Sequence, residues 1–180
     1  MPHIHTESGQ FDQTVSMLII RTDGTEAKVL LHRHLTLGKY MQFGGHIELD
    51  ENPWQTIIHE LKEEVGYEIS QLKILQPKNP LKTLRGGLIH PIPFGYNSFK
   101  VSSEQNHFHT DAIFAFTTDE EPKFSIGEGE SKDIRLFSKM DLEEDNKELI
   151  SGIRDLAVYA LDVLLKSWPP VDTGDYASTF

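Results

Sequence analysis

Directly after a glycine pair, Gly44-Gly45, the chain carries Glu51, Glu60, Glu63 and Glu64 in and just before one predicted helix. Carboxylate oxygens are hard ligands that suit Mg²⁺ or Mn²⁺, and ions of this kind keep coordination positions open for phosphate oxygens and an attacking water. The chemistry to expect is therefore metal-dependent attack on a phosphate. Asn52 is a good N-cap, Pro53 is pre-set for the first helical position, and Gly66 suits the left-handed residue that ends a helix. A helix over residues 53–65 follows. Trp54, Ile57, Ile58, Leu61 and Val65 keep its period and face a core, while Glu60, Glu63 and Glu64 recur at three and four on another face. Like charges at that spacing repel and raise carboxyl pKa values, so a bound cation is the natural compensation. Glu51, just before the helix, can fold back toward them.

Gly45, five residues, Glu51, seven residues, then His59-Glu60-Leu61-Lys62-Glu63-Glu64-Val65-Gly66-Tyr67 resembles the box of the Nudix hydrolases. Two positions depart from it: His59 replaces an arginine, and Tyr67 an aliphatic residue. The resemblance implies an α/β/α sandwich on a mixed sheet and hydrolysis of a diphosphate linkage in a nucleoside diphosphate derivative or related small molecule. It implies Mg²⁺ or Mn²⁺ held mainly by Glu60 and Glu64, with Glu63 and the Gly44 carbonyl assisting. Glu63 and Glu60 are the candidate catalytic carboxylates, Glu63 as the base. The usual arginine braces the loop glutamate, so His59 would brace Glu51 in a pH-dependent way.

Histidines form a second constellation. On a predicted strand beginning at His107, the residues His107, His109 and Asp111 face one way, and His46 and His90 could be folded nearby. Imidazoles with a carboxylate can hold an additional transition metal or contact substrate. They serve equally as hydrogen-bonding or solvent-facing groups, since no closed zinc spacing is present. Gly-Gly-His, His-Pro-Ile-Pro and His-x-His-x-Asp together resemble a subgroup of the same family. Glu128 and Glu130 lie in an acidic loop where such enzymes often carry a further carboxylate; a loop like this reaches a site only if it folds over it.

Two other classes stay open. His46 after the glycine turn is similar to a feature of the isopentenyl diphosphate isomerases, yet those use a cysteine where this chain has Gly44, and the chain has no cysteine. The other is a non-catalytic nucleotide-ligand sensor, against which the retained glutamates argue.

The elements that must position these residues are legible in outline. Residues 14–20 and 27–31 read as a hairpin about Thr22-Asp23-Gly24-Thr25, with further strands at 72–76, 82–90, 107–117 and 133–137. Residues 91–106 read as an irregular loop whose Phe94, Tyr96 and Phe99 either stack on a base or pin the loop. Residues 118–132 form a second loop. Residues 146–168 carry an amphipathic stripe of Leu149, Ile153, Leu156, Ala160, Leu164 and Trp168 suited to covering a sheet. Residues 1–168 thus make one domain and 169–180 a flexible tail.

A net charge of -11 repels nucleic-acid backbones, which leaves a small diphosphate as the expected partner rather than extended nucleic acid. Absence of cysteine removes disulfides and thiolate chemistry and fits a reducing compartment. The polar start lacks a secretory layout, and no apolar run approaches the roughly 20 residues that span a bilayer, so a cytoplasmic protein without membrane contact is expected. An exposed sheet edge would suit a homodimer.

Overall fold

The computed structural model describes residues 4–5, 7–102, 106–144 and 147–176. In chain order it contains β1 (Phe11–Arg21), β2 (Lys28–Arg33), β3 (Tyr40–Met41), β4 (Phe43–His46), α1 (Pro53–Val65), β5 (Lys73–Leu75), β6 (Gly95–Ser102), β7 (His107–Thr118), β8 (Ile134–Phe137), α2 (Lys139–Glu143), α3 (Ser151–Tyr159) and β9 (Pro170–Asp172). The long strands β1 and β7 run parallel side by side from Phe11↔Phe108 to Arg21↔Thr118 and form the spine of a mixed sheet. The outer edge of β1 is shared: its first half pairs with β4 and its second with β2. β7 is shared likewise, by β6 and β5.

Alternation along the spine sends side chains into two cores. On one face Val15, Met17, Ile19, Phe114 and Phe116 pack against Trp54, Ile57, Leu61 and Val65 of α1. On the other, Leu18, Ile20 and Ala115 pack against Leu149 and, from the C-terminal helix, Ile153, Ala157, Ala160 and Leu164. The result is the α/β/α sandwich with a mixed sheet. Helix α1 is closed at both ends as its letters predict. The Asn52 side chain accepts from the backbone N–H of Trp54 and Gln55, both at 3.0 Å, and Gln55 returns a bond to the Asn52 N–H at 2.9 Å. Gly66 takes φ 76° and donates to the Leu61 carbonyl.

Four expectations change. β1 begins at Phe11, three residues before the predicted start, which brings Asp12 into the sheet. Residues 82–90 form only an isolated bridge between Leu84 and Gly87, with Gly86 turned to φ 78°, so the glycines break the strand. Residues 95–102, expected as loop, form β6 because the free edge of β7 supplies a hydrogen-bonding partner that no local pattern announces. The C-terminal helix starts at Ser151 and passes through a π-helical turn, Ala160–Leu164; Asn146, its predicted start, lies outside the described residues.

The segment after Trp168 is also not a loose tail as far as it is described. β9 pairs antiparallel with β5, the Thr173 hydroxyl donates to the Ile69 carbonyl at 2.8 Å, and the Tyr176 ring lies 5.7 Å from that of Trp54. Residues 177–180 are outside the described set. Ending the chain at Trp168 should therefore lower stability by about 2 kcal/mol, because β5 loses its edge partner and Trp54 its cover. A denaturant midpoint equal to that of the full chain would show that the segment contributes no packing. Among the described residues no helix is long and apolar enough to cross a membrane.

Candidate functional site

Glu60 and Glu64 follow Ile57 by three and seven residues, with Leu61 at four, so they share the edge of the apolar face of α1 and turn inward with it. They are only 3% and 7% exposed. Oε2 of Glu64 accepts the Gly44 N–H at 2.7 Å, which ties the helix to the glycine pair inside β4. Gly44 is required there by geometry: its φ is 138°, and a Cβ would lie 2.0 Å from the Val15 carbonyl oxygen of β1. The other Glu64 oxygen is 3.9 Å from Nδ1 of buried His32. That nitrogen has no hydrogen-bond partner among the described residues.

Burial pushes the Glu60 carboxyl up to about 7, with the charges of Glu130, Glu63 and Glu51 adding to it and that of His59 opposing. Burial likewise pushes Glu64 up to about 9, helped by the charges of Glu60, Glu130 and Glu63 and opposed by the Gly44 N–H. His32 cannot neutralise them, since its own burial drives the imidazole down to about 4 and leaves it uncharged at neutral pH. Two desolvated carboxyls with oxygen donors and no permanent cation beside them fit a hard dication.

A pH dependence follows. Both carboxyls are raised above the ordinary 4.5, so their contribution to the stability of the metal-free protein is full below that value and is lost as pH rises through about 7 and then about 9. The unfolding midpoint of metal-free protein should fall across this range, and should fall less in Glu64→Gln. A flat profile in the wild type would contradict the buried placement of the pair.

Glu63, expected on the same face, instead points outward and is half-exposed. His59 bridges the outer carboxylates, with Nδ1 3.3 Å from Glu51 and Nε2 3.1 Å from Glu63. Glu51 also accepts from the Thr56 hydroxyl at 2.9 Å. Burial lowers the His59 pKa, but the hydrogen bond to Glu63 and the charges of Glu63, Glu51 and Glu60 outweigh it and leave it raised.

Glu64 opens on a cavity of about 330 Å³ whose walls also include Gly44, His46, His109, Asp111 and Glu130. The loop carrying Glu130 is pinned by the Gly127 N–H on the Glu63 carbonyl at 2.7 Å. Glu128, its neighbour, is exposed and does not line the cavity. The three aromatics expected to stack or pin sit in different places. Phe94 packs on the core against Tyr159, whereas Phe99 lines the cavity; Tyr96 bonds Gln13.

The histidines are gathered around a residue not singled out from the letters. Asp12 is fully buried, with Oδ2 3.1 Å from His107 Nε2 and 3.4 Å from His46 Nε2. Nε2 of His46 and Nε2 of His109 are 3.1 Å apart. The second Asp12 oxygen is held by the His5 ring at 2.7 Å and by the His5 N–H at 2.8 Å. Although burial pushes the Asp12 carboxyl up, the bonds from His5 and Ile4 and the nearby His46 overcome this and hold it at about 2.

Asp111 is not a member of this group. Parallel pairing sets Asp12 beside His109 and Thr14 beside Asp111, and the Thr14 hydroxyl donates to Asp111 at 2.8 Å. His90 also falls outside it, with a buried Nδ1 that has no hydrogen-bond partner among the described residues. The available signal for Asp12 was the alternation Asp12-x-Thr14-x-Ser16 leading into an apolar run, which continues the strand two pleats upstream.

Against known families, the NUDIX domain model matches residues 11–156. The chain belongs to the Nudix family. A crystal structure of a Nudix-family hydrolase from Clostridium perfringens is 34% identical, with TM-score 0.70, covering 85% of this chain and 97% of that one. The Nudix domain of Shewanella oneidensis NrtR, solved with ADP ribose, is 16% identical with TM-score 0.59, covering 84% and 86%. The C. elegans Ap4A hydrolase is 16% identical with TM-score 0.54, covering 88% and 96%. These last two share the fold. No curated protein sequence matches the chain significantly. This Nudix chain is accordingly a hydrolase of the family, with its box on the loop from β4 and on α1.

Proposed function

We propose that this Nudix hydrolase cleaves the diphosphate linkage of a nucleoside diphosphate derivative or a related small molecule, using Mg²⁺ or Mn²⁺. The observation that carries the reading is the buried pair Glu60 and Glu64, with Glu64 clamped to the Gly44 N–H at a cavity that Glu130 also lines. Glu60 and Glu64 would hold the metal, with the Gly44 carbonyl and Glu63 assisting. The bound dication supplies charge neutralisation for phosphate oxygens and a more acidic water.

The residues of the chain do the rest. The Gly44 N–H holds one Glu64 oxygen and leaves the other, 3.9 Å from His32 Nδ1, as the one that would ligate a bound dication. Glu130, on its pinned loop, is better placed in the cavity than Glu63 to accept a proton from water, because Glu63 is engaged by His59. His59 positions Glu51 and Glu63 together and so takes over the brace that an arginine gives elsewhere. Phe99 offers an aromatic face to a base at the cavity wall. ADP ribose and Ap4A, the ligand and substrate named for the two neighbours, are natural first compounds to test.

The test is a panel of ADP-ribose, dinucleoside polyphosphates, nucleoside triphosphates and non-nucleotide diphosphates, each with Mg²⁺ and with Mn²⁺. Release of a monophosphate product from at least one compound, abolished by chelator, is expected. Metal-independent release, or none from any compound, would overturn the reading.

A further inference from the structure

Asp12 comes from β1, His46 from the end of β4, and His107 and His109 from β7, and their polar atoms run in a chain of close contacts from His107 to Asp12, Asp12 to His46 and His46 to His109. One donor atom each from Asp12, His107 and His109 lie within 4.8 Å of one another. We propose that these three form a binding site for a single transition dication, zinc foremost, distinct from the carboxylate centre on α1, with His46 beside it as the neighbour that touches both Asp12 and His109.

Spacing supports this first. Ligands about 2.0–2.1 Å from one ion stand about 3.0 Å apart in octahedral and about 3.4 Å apart in tetrahedral arrangement. The ligand pair His107–Asp12 stands at 3.1 Å, and His46 stands 3.1 Å from His109 and 3.4 Å from Asp12. Orientation supports it next. His46 and His109 face each other through Nε2 at 3.1 Å with their rings edge-on, so His46 holds the His109 ring in place near Asp12. His5 and the backbone hold Oδ1 of Asp12, which directs Oδ2 toward His46 and His107 as an outer contact orients a ligand.

Donor chemistry separates the two centres. Imidazole nitrogen is preferred by zinc, iron and nickel over magnesium, whereas Glu60 and Glu64 offer only oxygen. Both centres nevertheless serve one cavity, since His46 and His109 line it together with Glu64 and Glu130. A metal at the histidines would therefore face the part of a bound molecule remote from α1. The proposal does not depend on which substrate is hydrolysed.

The test strips the purified full chain with chelator, reloads it with Zn²⁺, and measures stoichiometry by elemental analysis and affinity by calorimetry. Wild type, Glu64→Gln and the double variant His107→Ala, His109→Ala are compared. With excess Mg²⁺ present to hold the carboxylate centre, one tightly bound zinc per chain is expected in wild type and Glu64→Gln, with at least a tenfold loss of affinity in the double variant. Zinc lost in Glu64→Gln and kept in the double variant would assign it to the carboxylates and overturn the proposal. No zinc in the wild type would overturn it too and leave a hydrogen-bonded cluster. If the double variant does not fold, Co²⁺ in the wild type decides: paramagnetically shifted imidazole proton signals support nitrogen ligation, and their absence overturns it.

Discussion

Glu64→Gln should lower turnover at least about a hundredfold, since even partners that only orient a metal ligand are worth about 10–100-fold. The fold should not suffer. Burial holds the Glu64 carboxyl up at about 9, so in metal-free protein at neutral pH the side chain is already neutral, and glutamine has its size. The amide oxygen can still accept the Gly44 N–H now bonded at 2.7 Å. What the variant loses is the ability to become a carboxylate when a dication arrives. A ligand that binds only the native state at a hundred times its Kd adds about 2.7 kcal/mol. Saturating Mn²⁺ should accordingly raise the melting temperature of the wild type by several degrees and that of Glu64→Gln far less. Wild-type turnover, or an unchanged Mn²⁺ shift, would remove Glu64 from the site.

Gly44→Ala is expected to destabilise the protein by about 3 kcal/mol or more, the combined cost of a disfavoured backbone conformation and of forcing atoms into a filled space. The added Cβ would stand 2.0 Å from the Val15 carbonyl oxygen, which belongs to the central strand and not to a flexible side chain. Relief requires β4 to move away from β1, and that motion carries off the N–H that orients Glu64. Activity should fall with stability. A guanidinium midpoint equal to that of the wild type would show that the turn is not held in this geometry.

Helix α1 was legible because everything that defines it is local: Asn52, Pro53 and Gly66 mark its ends and five apolar residues mark its inner face. Its acids were only partly legible. A spacing of three and four groups Glu60, Glu63 and Glu64, yet only Glu60 and Glu64 sit beside Ile57 and Leu61 on the face that turns inward, so the cluster divides into a buried pair and an outer residue held by His59. β6 was hidden because its hydrogen-bonding partner is another strand, β7, and the prolines before it suggested loop. Asp12 was hidden for a stronger reason. Its neighbour His107 is 95 residues away, and the parallel pairing that joins β1 and β7 is a long-range event that no window of sequence contains. The same pairing sets Asp111 two residues beyond His109 on β7, bonded to Thr14, so it lines the cavity beside His46 and His109 while Asp12 takes the place among the imidazoles.

In the proposed reaction, water activated beside Glu60 and Glu64 attacks phosphorus in a diphosphate linkage. The best compound from the panel is turned over in 18O-labelled water and the products are read by mass spectrometry. One 18O atom is expected in a phosphate group of one product, with labelled product at least about a hundredfold slower to form from Glu64→Gln. Label on carbon, or conversion of the compound without label, would contradict hydrolysis at phosphorus.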